Sequence, residues 1–255
     1  MQKNTFRISI ISLLTILSIN LSAQKYKQNL QEHDVKPYHF GFILAANTMD
    51  FRITTNQAAI GRFYQGEGIP GFENTDGASL YGVSSSPAVG FTVGVVGNYK
   101  IAQHWDFRFI PSLAFGERNL NYRINRIPDG EIPYLVNHTE VVSSTFLEFP
   151  FHLKYKSNRA KNFRAYVLAG FRFNIDLAAP SADVSTDQEF IKLRKNDLLY
   201  EVGAGFDFYF PFFKFGIELK GSYGTKDLLL SEGNIFTDGI QQMRSKLFQV
   251  SLTFE

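Results

Sequence analysis

Cysteine is missing from all 255 residues, which excludes a disulfide scaffold, a lipid-modified N-terminal cysteine, thiolate metal sites and thiol nucleophiles. Net charge is nearly missing too. Twenty-six Lys and Arg against 24 Asp and Glu leave +2, and no basic run of the kind that nucleic acid requires occurs, so nucleic acid is excluded as a partner. After the N-terminal leader no stretch approaches ~18 consecutive apolar residues, which excludes helical membrane spans. If the chain crosses a membrane, it must do so as a closed barrel of strands.

The leader has its own signature. Lys3 and Arg7 precede an apolar run from Ile8 to Leu21 that is interrupted by Ser9, Ser12, Thr15, Ser18 and Asn20. It is too short and too polar to span a bilayer, and Leu21-Ser22-Ala23 before Gln24 reads as a secretory cleavage site. Residues 1–23 are therefore expected to be a signal peptide, leaving 255 − 23 = 232 residues that begin at Gln24.

What the chain has in excess is aromatic residues, 26 Phe and 12 Tyr, many of them on alternate positions. Period 2 is the mark of a strand with two different faces, and it recurs in eight segments. They are Tyr38 to Phe51 (Phe40, Phe42 and Leu44 in phase), Pro87 to Ile101 (Val89, Phe91, Val93, Val95, Tyr99) and Trp105 to about Tyr122 (Trp105, Phe107, Phe109, Leu113, Phe115). Next come Val141 to Lys156 (Leu147, Phe149, Phe151, Leu153, Tyr155) and Phe163 to Leu177 (Phe163, Ala165, Val167, Ala169, Phe171, Phe173, Ile175). The last three are Asp197 to Phe210 (Tyr200, Val202, Ala204, Phe206, Phe208), Phe213 to Tyr223 (Phe215, Ile217, Leu219) and Gln242 to Glu255 (Phe248, Val250, Leu252, Phe254).

The connections alternate in length. Ala102 to His104, Ser157 to Asn162, and Pro211 with Phe212 are hairpin-sized, whereas Arg52 to Ser86, Asn125 to Glu140, Ala178 to Asn196 and Gly224 to Gln241 read as long polar loops with turn signals at Asp76-Gly77, Asp129-Gly130 and Asp238-Gly239. Short turns on one rim and long loops on the other predict an all-β fold, an eight-stranded antiparallel transmembrane β-barrel of the outer membrane, over residues 38–255. Both chain ends then lie in the periplasm, and residues 24–37 form a periplasmic tail. That tail holds Lys25, Lys27, Glu32, Asp34 and Lys36 with few apolar anchors, so by itself it is expected to be flexible and able to order against another protein.

The face opposite each apolar stripe carries Arg108, Glu148, His152, Arg164, Arg172, Asp176, Glu201, Asp207, Glu218 and Lys220. An Arg or Lys facing lipid near the midplane would cost ~2 to 4 kcal/mol, so this face is expected to point into the lumen. There its acids and bases can neutralise one another as a packed ionic plug without an open pore. A soluble lipocalin-type barrel would show the reverse phase, apolar inside and polar outside. Tyr99, Trp105, Tyr155, Phe163, Phe208, Phe210 and Phe254 fall near strand ends on the short-turn side, where an aromatic girdle would meet the lipid interface.

No catalytic, cofactor or metal site is assigned. His33, His39, His104, His138 and His152 are never at helical or hairpin ligand spacing. His152 lies two residues from Lys154, without a neighbouring serine and near the periplasmic end, while His138 sits in a long loop between Asn137 and Thr139. Neither is placed beside a nucleophile. Gly203-Ala204-Gly205 has part of a dinucleotide fingerprint but lies inside an alternating strand with no helix after it, so small lumen-facing residues explain it better. Asn137-His138-Thr139 matches a glycosylation sequon, which means little if the leader is a bacterial one.

Two stretches carry a family resemblance: Lys36-Pro37-Tyr38-His39-Phe40-Gly41-Phe42 with Asn47 to Phe51, and Lys195 to Gly205 with Phe215 to Leu230. Together with the Leu-Ser-Ala-Gln junction they resemble the PorT family of outer-membrane barrels from Bacteroidetes-type bacteria. The resemblance implies a non-enzymatic component required for type IX protein secretion, which exports cargo bearing a C-terminal signal domain and is often linked to gliding motility. It transfers no residue-level mechanism. The implied partners are outer-membrane lipid and secretion-machinery proteins, contacted through the tail and short turns or through the long loops. The alternatives are a generic structural or adhesion barrel and a barrel-embedded lipid-modifying enzyme.

Overall fold

The computed structural model describes residues 28–66, 69, 71–179 and 191–255; the leader at 1–23, the tail residues 24–27 and part of the third long loop lie outside them. Every β-pairing is antiparallel. In chain order the strands are β1 (Tyr38–Thr55), β2 (Phe63–Gln65), β3 (Gly77–Lys100), β4 (Trp105–Phe109), β5 (Ser112–Ile127), β6 (Tyr134–Lys156), β7 (Phe163–Asp176), β8 (Lys192–Leu193), β9 (Asn196–Tyr209), β10 (Lys214–Gly224), β11 (Leu229–Leu230) and β12 (Ile240–Phe254). A single helical turn, α1 (Ile235–Asp238), lies between the last two.

Eight staves close into a ring, with β4 and β5 forming one stave interrupted at Ile110 and Pro111. Closure comes from β1, which pairs with β12 from Phe42↔Phe254 onward and with β3 from Tyr38↔Tyr99 onward. The eight sequence segments each fall on one stave. Alternation dictates the faces: along β7 Arg164, Tyr166, Leu168, Arg172, Asn174 and Asp176 are buried, while Val167 is 54% exposed and Phe171 60% exposed. On the other staves Phe42, Val93, Phe151, Val202, Leu219 and Phe248 are exposed in the same phase, so an apolar belt surrounds the ring.

The long loops differ from expectation. A tilted strand of roughly 9 to 11 residues crosses a bilayer, yet β3 and β6 run for 24 and 23 residues. They project well beyond the belt at the end away from the chain termini. Most of the expected loop Asn125 to Glu140 is the strand ends of β5 and β6, paired as far as Arg126↔Tyr134. The expected loop Arg52 to Ser86 contains the end of β1, all of β2 and the start of β3. These extensions escape a search for outward apolar stripes because their outward rows are broken by polar residues such as Ser84, Asn137 and Thr139.

The extensions enclose a core of their own. Phe51, Leu80, Leu120, Tyr122, Ile124, Ile240 and Met243 turn inward and meet Ile191, Leu193, Leu228, Leu229, Ile235 and Phe236 from the connecting segments. Asn234 caps α1 through the backbone N–H groups of Phe236 and Thr237, which sets Phe236 edge-on to Tyr122 with ring centroids 5.1 Å apart.

The opposite mouth is covered as well. Residues Gln31–Asp34 form one 3-10 turn that lies on the short-turn end. Asn29 donates from its backbone to Asn162 Oδ1 at 2.9 Å and from its side chain to the Tyr209 carbonyl at 3.0 Å. Asp34 pairs with Arg159 at 3.1 Å and Arg164 at 2.9 Å. The tail, expected to be flexible by itself, is held against the barrel over its described part, because Asn29 and Asp34 find partners on the rim that no local reading of the tail reveals.

Candidate functional site

The inward residues between the two mouths form the most elaborate constellation of the molecule. Each is placed by a strand whose opposite face is apolar, so belt and lumen are two consequences of one alternation. Arg172 on β7 reaches across the lumen to Glu148 on β6 at 2.8 Å, to Glu201 on β9 and to Gln249 Oε1 on β12 at 2.8 Å. Its planar fork carries several donors, so one guanidinium ties four strands. Glu201 also accepts from Ser222 at 2.6 Å and bonds His152 Nε2 at 2.7 Å.

A second group lies toward the termini. Glu218 accepts from Arg108 at 2.8 Å and from the Tyr166 hydroxyl at 2.9 Å, and Lys220 Nζ is 3.1 Å from its other oxygen. Asp207 pairs with Lys154 at 2.8 Å, and Lys214 pairs with Glu255 at 2.7 Å. Gly205 makes this packing possible: a Cβ there would stand 2.5 Å from the Tyr166 oxygen and 2.6 Å from the Ile217 carbonyl. The glycines of 203–205 thus serve close packing of side chains in the lumen.

All ten charged residues expected in the lumen lie on inward positions at 9% exposure or less. Arg108, Glu148, His152, Arg172, Glu201, Asp207, Glu218 and Lys220 belong to the two groups above. Arg164 stands apart at the short-turn mouth with Asp34, and Asp176 stands at the other end with Arg118 at 3.4 Å. His152 sits deeper than its place in the sequence suggests, four residues inside the end of β6 and buried beside Glu201.

Sequence reasoning missed Asp106, Arg118, Lys154, Lys156, Lys214 and Glu255, all of them inside the ring. Lys154 and Lys156 share the parity of Glu148 and His152, and Asp106 that of Arg108, so carrying each phase to the strand end would have found them. Glu255 has no residue beyond it to mark its phase. Arg118 lies where the apolar stripe has faded to Asn119 and Asn121. Its guanidinium lies 4.3 Å from the centre of the Phe51 ring and 5.1 Å from that of Phe146, where charge–quadrupole attraction stabilises it beside an apolar core. It also donates to Ser144 Oγ at 2.5 Å.

The lumen is not wholly ionic. Ile43, Val96 and Ile110 form one apolar cluster, and Met49, Ala114, Phe146, Leu199 and Leu247 form another. Near the short-turn end the aromatic residues pair across neighbouring strands. Ring centroids lie 5.0 Å apart for Tyr38 and Tyr99, 4.9 Å for Trp105 and Tyr155, and 5.4 Å for Phe163 and Phe208. Phe210 is 6.4 Å from Phe215, which in turn is 5.2 Å from Phe254.

At that mouth a cavity of about 170 Å³ is bounded by His33, Asp34, Lys100, Asp106, Lys156 and Lys214, among others. His33 stacks on His39 with centroids 3.6 Å apart. Burial, then the neighbouring Lys214 and His39, lower the His33 pKa to about 3. For Asp34 burial opposes ionisation, but Arg164 and Arg159 overcome it and hold the carboxyl below its ordinary range. Of the lysines at this mouth, Lys156 pairs with Asp106 at 2.6 Å and Lys214 with Glu255 at 2.7 Å, while Lys100 donates to the Asp34 carbonyl at 2.5 Å.

Among the described residues no three of His, Asp and Glu are grouped to hold a metal ion. His138 Nε2 lies 3.3 Å from Glu140, and its ring is 5.4 Å from that of Phe236. Neither His138 nor His152 hydrogen-bonds a hydroxyl that could act as a nucleophile.

Comparison with known proteins gives a family. Residues 23–229 match the family model of the outer membrane protein beta-barrel domain. No curated protein matches the sequence. Similar solved structures include the outer membrane protein OprG from Pseudomonas aeruginosa, at 12% identity over 86% of this chain and 94% of that one with a TM-score of 0.41. Neisserial surface protein A is similar at 13% identity over 86% and 98% with a TM-score of 0.38. The N-terminal β-barrel domain of Pseudomonas aeruginosa OprF is similar at 14% identity over 86% and 99% with a TM-score of 0.31.

Proposed function

We propose, for a chain that belongs to the outer membrane protein beta-barrel domain family, a non-catalytic role in type IX protein secretion, carried out by binding partners at the two ends of the barrel. The observation that carries the reading is the filled lumen. Arg172 with Glu148 and Glu201, and Glu218 with Arg108 and Lys220, occupy the bore with mutually paired charges, so neither cargo nor a sustained ion current has a route through it. A barrel that neither conducts nor catalyses acts through its surfaces.

The secretion role comes from the PorT-like stretches at Lys36 to Phe42 and Lys195 to Gly205. In this reading the chain ends and short turns face the periplasm. Residues 28–37, held against Arg159 and Arg164, together with the turns beside them make one composite surface for a periplasmic machinery protein. The long-loop end faces outward as the second contact surface. The paired aromatics from Tyr99 to Phe254 form the interface girdle at the inner lipid boundary, and the buried charges act as a plug.

The test is deletion of the gene, followed by assay of cell-surface and periplasmic cargo. Trapped cargo is expected, restored by the wild-type chain. Normal export in the deletion strain would leave a structural outer-membrane barrel without a secretion role. A chain lacking residues 28–35, with its barrel assembled normally, is expected to restore export poorly; wild-type export would remove this segment from the contact surface.

A further inference from the structure

The long-loop end holds a sheet edge, on β6, that no described strand covers. β6 continues to Tyr134 beside β5, but its pairing with β7 stops at Phe146↔Asp176. Beyond that point only Thr145 is held on the β7 side: its carbonyl accepts from the Leu177 N–H at 2.7 Å, and its N–H donates to Asp176 Oδ1 at 3.3 Å.

Backbone groups alternate sides along a strand, and two contacts fix the alternation here. The Thr145 carbonyl points toward β7, whereas the Pro150 carbonyl accepts from Ile110 on the β4/β5 side. Even-numbered residues of β6 therefore bond toward β5, and odd-numbered residues present their N–H and C=O to the other side. Leu135, Asn137, Thr139, Val141 and Ser143 thus offer five N–H and five C=O groups to a free edge, with no backbone partner among the described residues.

Natural edges are usually blunted by Lys, Pro, a bulge or a covering segment. Residues 134–144 contain no Lys, Arg, Pro or Gly, carry Glu140 as their one acidic charge, and include the β-branched residues Val136, Thr139, Val141 and Val142. Their register with β5 is unbroken. The other extended edge is treated differently: on β12 the Met243 N–H donates to Asp227 Oδ1 at 2.9 Å, and its carbonyl accepts from Leu228 N at 2.8 Å. Among the described residues the β12 edge is covered, and the β6 edge is left without a backbone partner.

We infer that the β6 edge from Leu135 to Ser143 is a docking site for an extended segment of another polypeptide, which adds as an antiparallel strand. The chemistry of the edge selects this occupant. Lipid and glycan lack alternating donors and acceptors at strand spacing, and the outward row Leu135, Asn137, Thr139, Val141 and Ser143, broken by three polar residues, lies past the continuous apolar belt. A second copy in the same membrane carries β6 in the same direction, so the antiparallel continuation used by every pairing of this fold is closed to it. A cavity of about 240 Å³ at Glu140 to Ser143, floored by Ile191 and Leu193, would receive one apolar side chain from the inner face of the incoming strand. Its backbone would supply the hydrogen bonds, and this cavity the side-chain preference.

The experiment uses the full chain in lipid nanodiscs and, as probe, the peptide acetyl-Lys-Thr-Val-Thr-Val-Thr-Val-Thr-Lys-amide, with its backbone N-methylated version as control. Hydrogen exchange is read over residues 134–145. The odd-numbered amides are expected to exchange freely in the protein alone and to slow at least tenfold at saturating peptide, with no slowing by the control. Val141→Pro should abolish the effect; if that variant does not assemble, Val141→Lys is used and should weaken it. Protection of these amides before peptide is added, including by residues 180–190 of the same chain, overturns the inference. So does unchanged exchange with peptide present, or equal slowing by the control.

Discussion

From the short-turn rim to Arg118 the ring is largely ionic within and apolar without; past Arg118 the same staves are largely apolar within and carry mostly polar residues without. In the first region Arg172, Glu201, Glu218 and Lys220 face the lumen while Val167 and Phe248 face outward. In the second Leu80, Leu120, Tyr122 and Ile124 face inward while Arg123 and Thr139 face outward. The alternation of strand faces is unchanged, and only its polarity inverts. What inverts is the solvent: lipid beside the first region selects apolar outward residues and tolerates charges inside only when they are paired, whereas water beside the second reverses both preferences. The comparison teaches that a stave can cross from one solvent to another without a break in backbone geometry, with one residue at the transition serving both. Arg118 is that residue, with Asp176 and Ser144 among its polar contacts and the faces of Phe51 and Phe146 beside it.

The sharpest way to break this comparison is to remove a charge from the first region. Arg172→Met leaves Glu148 and Glu201 without their shared partner, and loss of one member of a buried ion pair costs about 3 to 5 kcal/mol. The variant is expected to unfold at clearly lower urea concentration in liposomes. Unchanged unfolding would mean that the buried charges do not hold this half together.

The outward face gives a paired test. Val167→Arg sets a charge on the belt at ~2 to 4 kcal/mol, whereas Leu135→Arg, on an equally exposed outward position past Arg118, should change stability by no more than about 0.5 kcal/mol. Equal losses of folded protein in membranes for the two variants would erase the boundary between the regions.

Conductance probes the inward face of the first region alone. In planar bilayers the purified wild-type chain is expected to show no sustained current, because the paired side chains fill the bore. A stable open channel would show that they line a passage.

The last test concerns the segment at the mouth. Free of the barrel, His33 takes up a proton near its ordinary 6.5, but docked it resists until about 3, so docking weakens as pH falls through that window, by up to about tenfold per pH unit. Asp34, whose docked pKa is depressed, adds a contribution that is present above its ordinary carboxylate range and lost only as pH falls through the docked value. The chain has no cysteine, so a single Gln28→Cys spin label reports the release. Its mobility should rise between pH 6.5 and 3 and fall again on return; mobility independent of pH would contradict the burial of His33.

Period 2 by itself determined the eight staves, the face of each and the ring they close, because alternating apolar residues in strands of this length have no other way to satisfy both lipid and backbone. It also placed ten charges on inward positions, since their parity opposes that of the apolar stripe. The strand extensions at Gly77 to Ser86 and Tyr134 to Glu140 stayed hidden, because their outward rows mix Tyr81 and Leu135 with Ser84, Asn137 and Thr139, and a broken stripe looks like a loop to a search for continuous outward apolar ones. Tertiary structure alone decided which charges meet. Glu148, Arg172, Glu201 and Gln249 come from four strands spread over about 100 residues, and only the register set on closing the ring brings them to one height. The docking of residues 28–37 was decided in the same way, since Asp34 is held by Arg159 and Arg164 from the far side of the sequence. Local pattern fixes the direction in which a side chain points, but which partner stands opposite depends on the stagger between strands, a property of the whole ring.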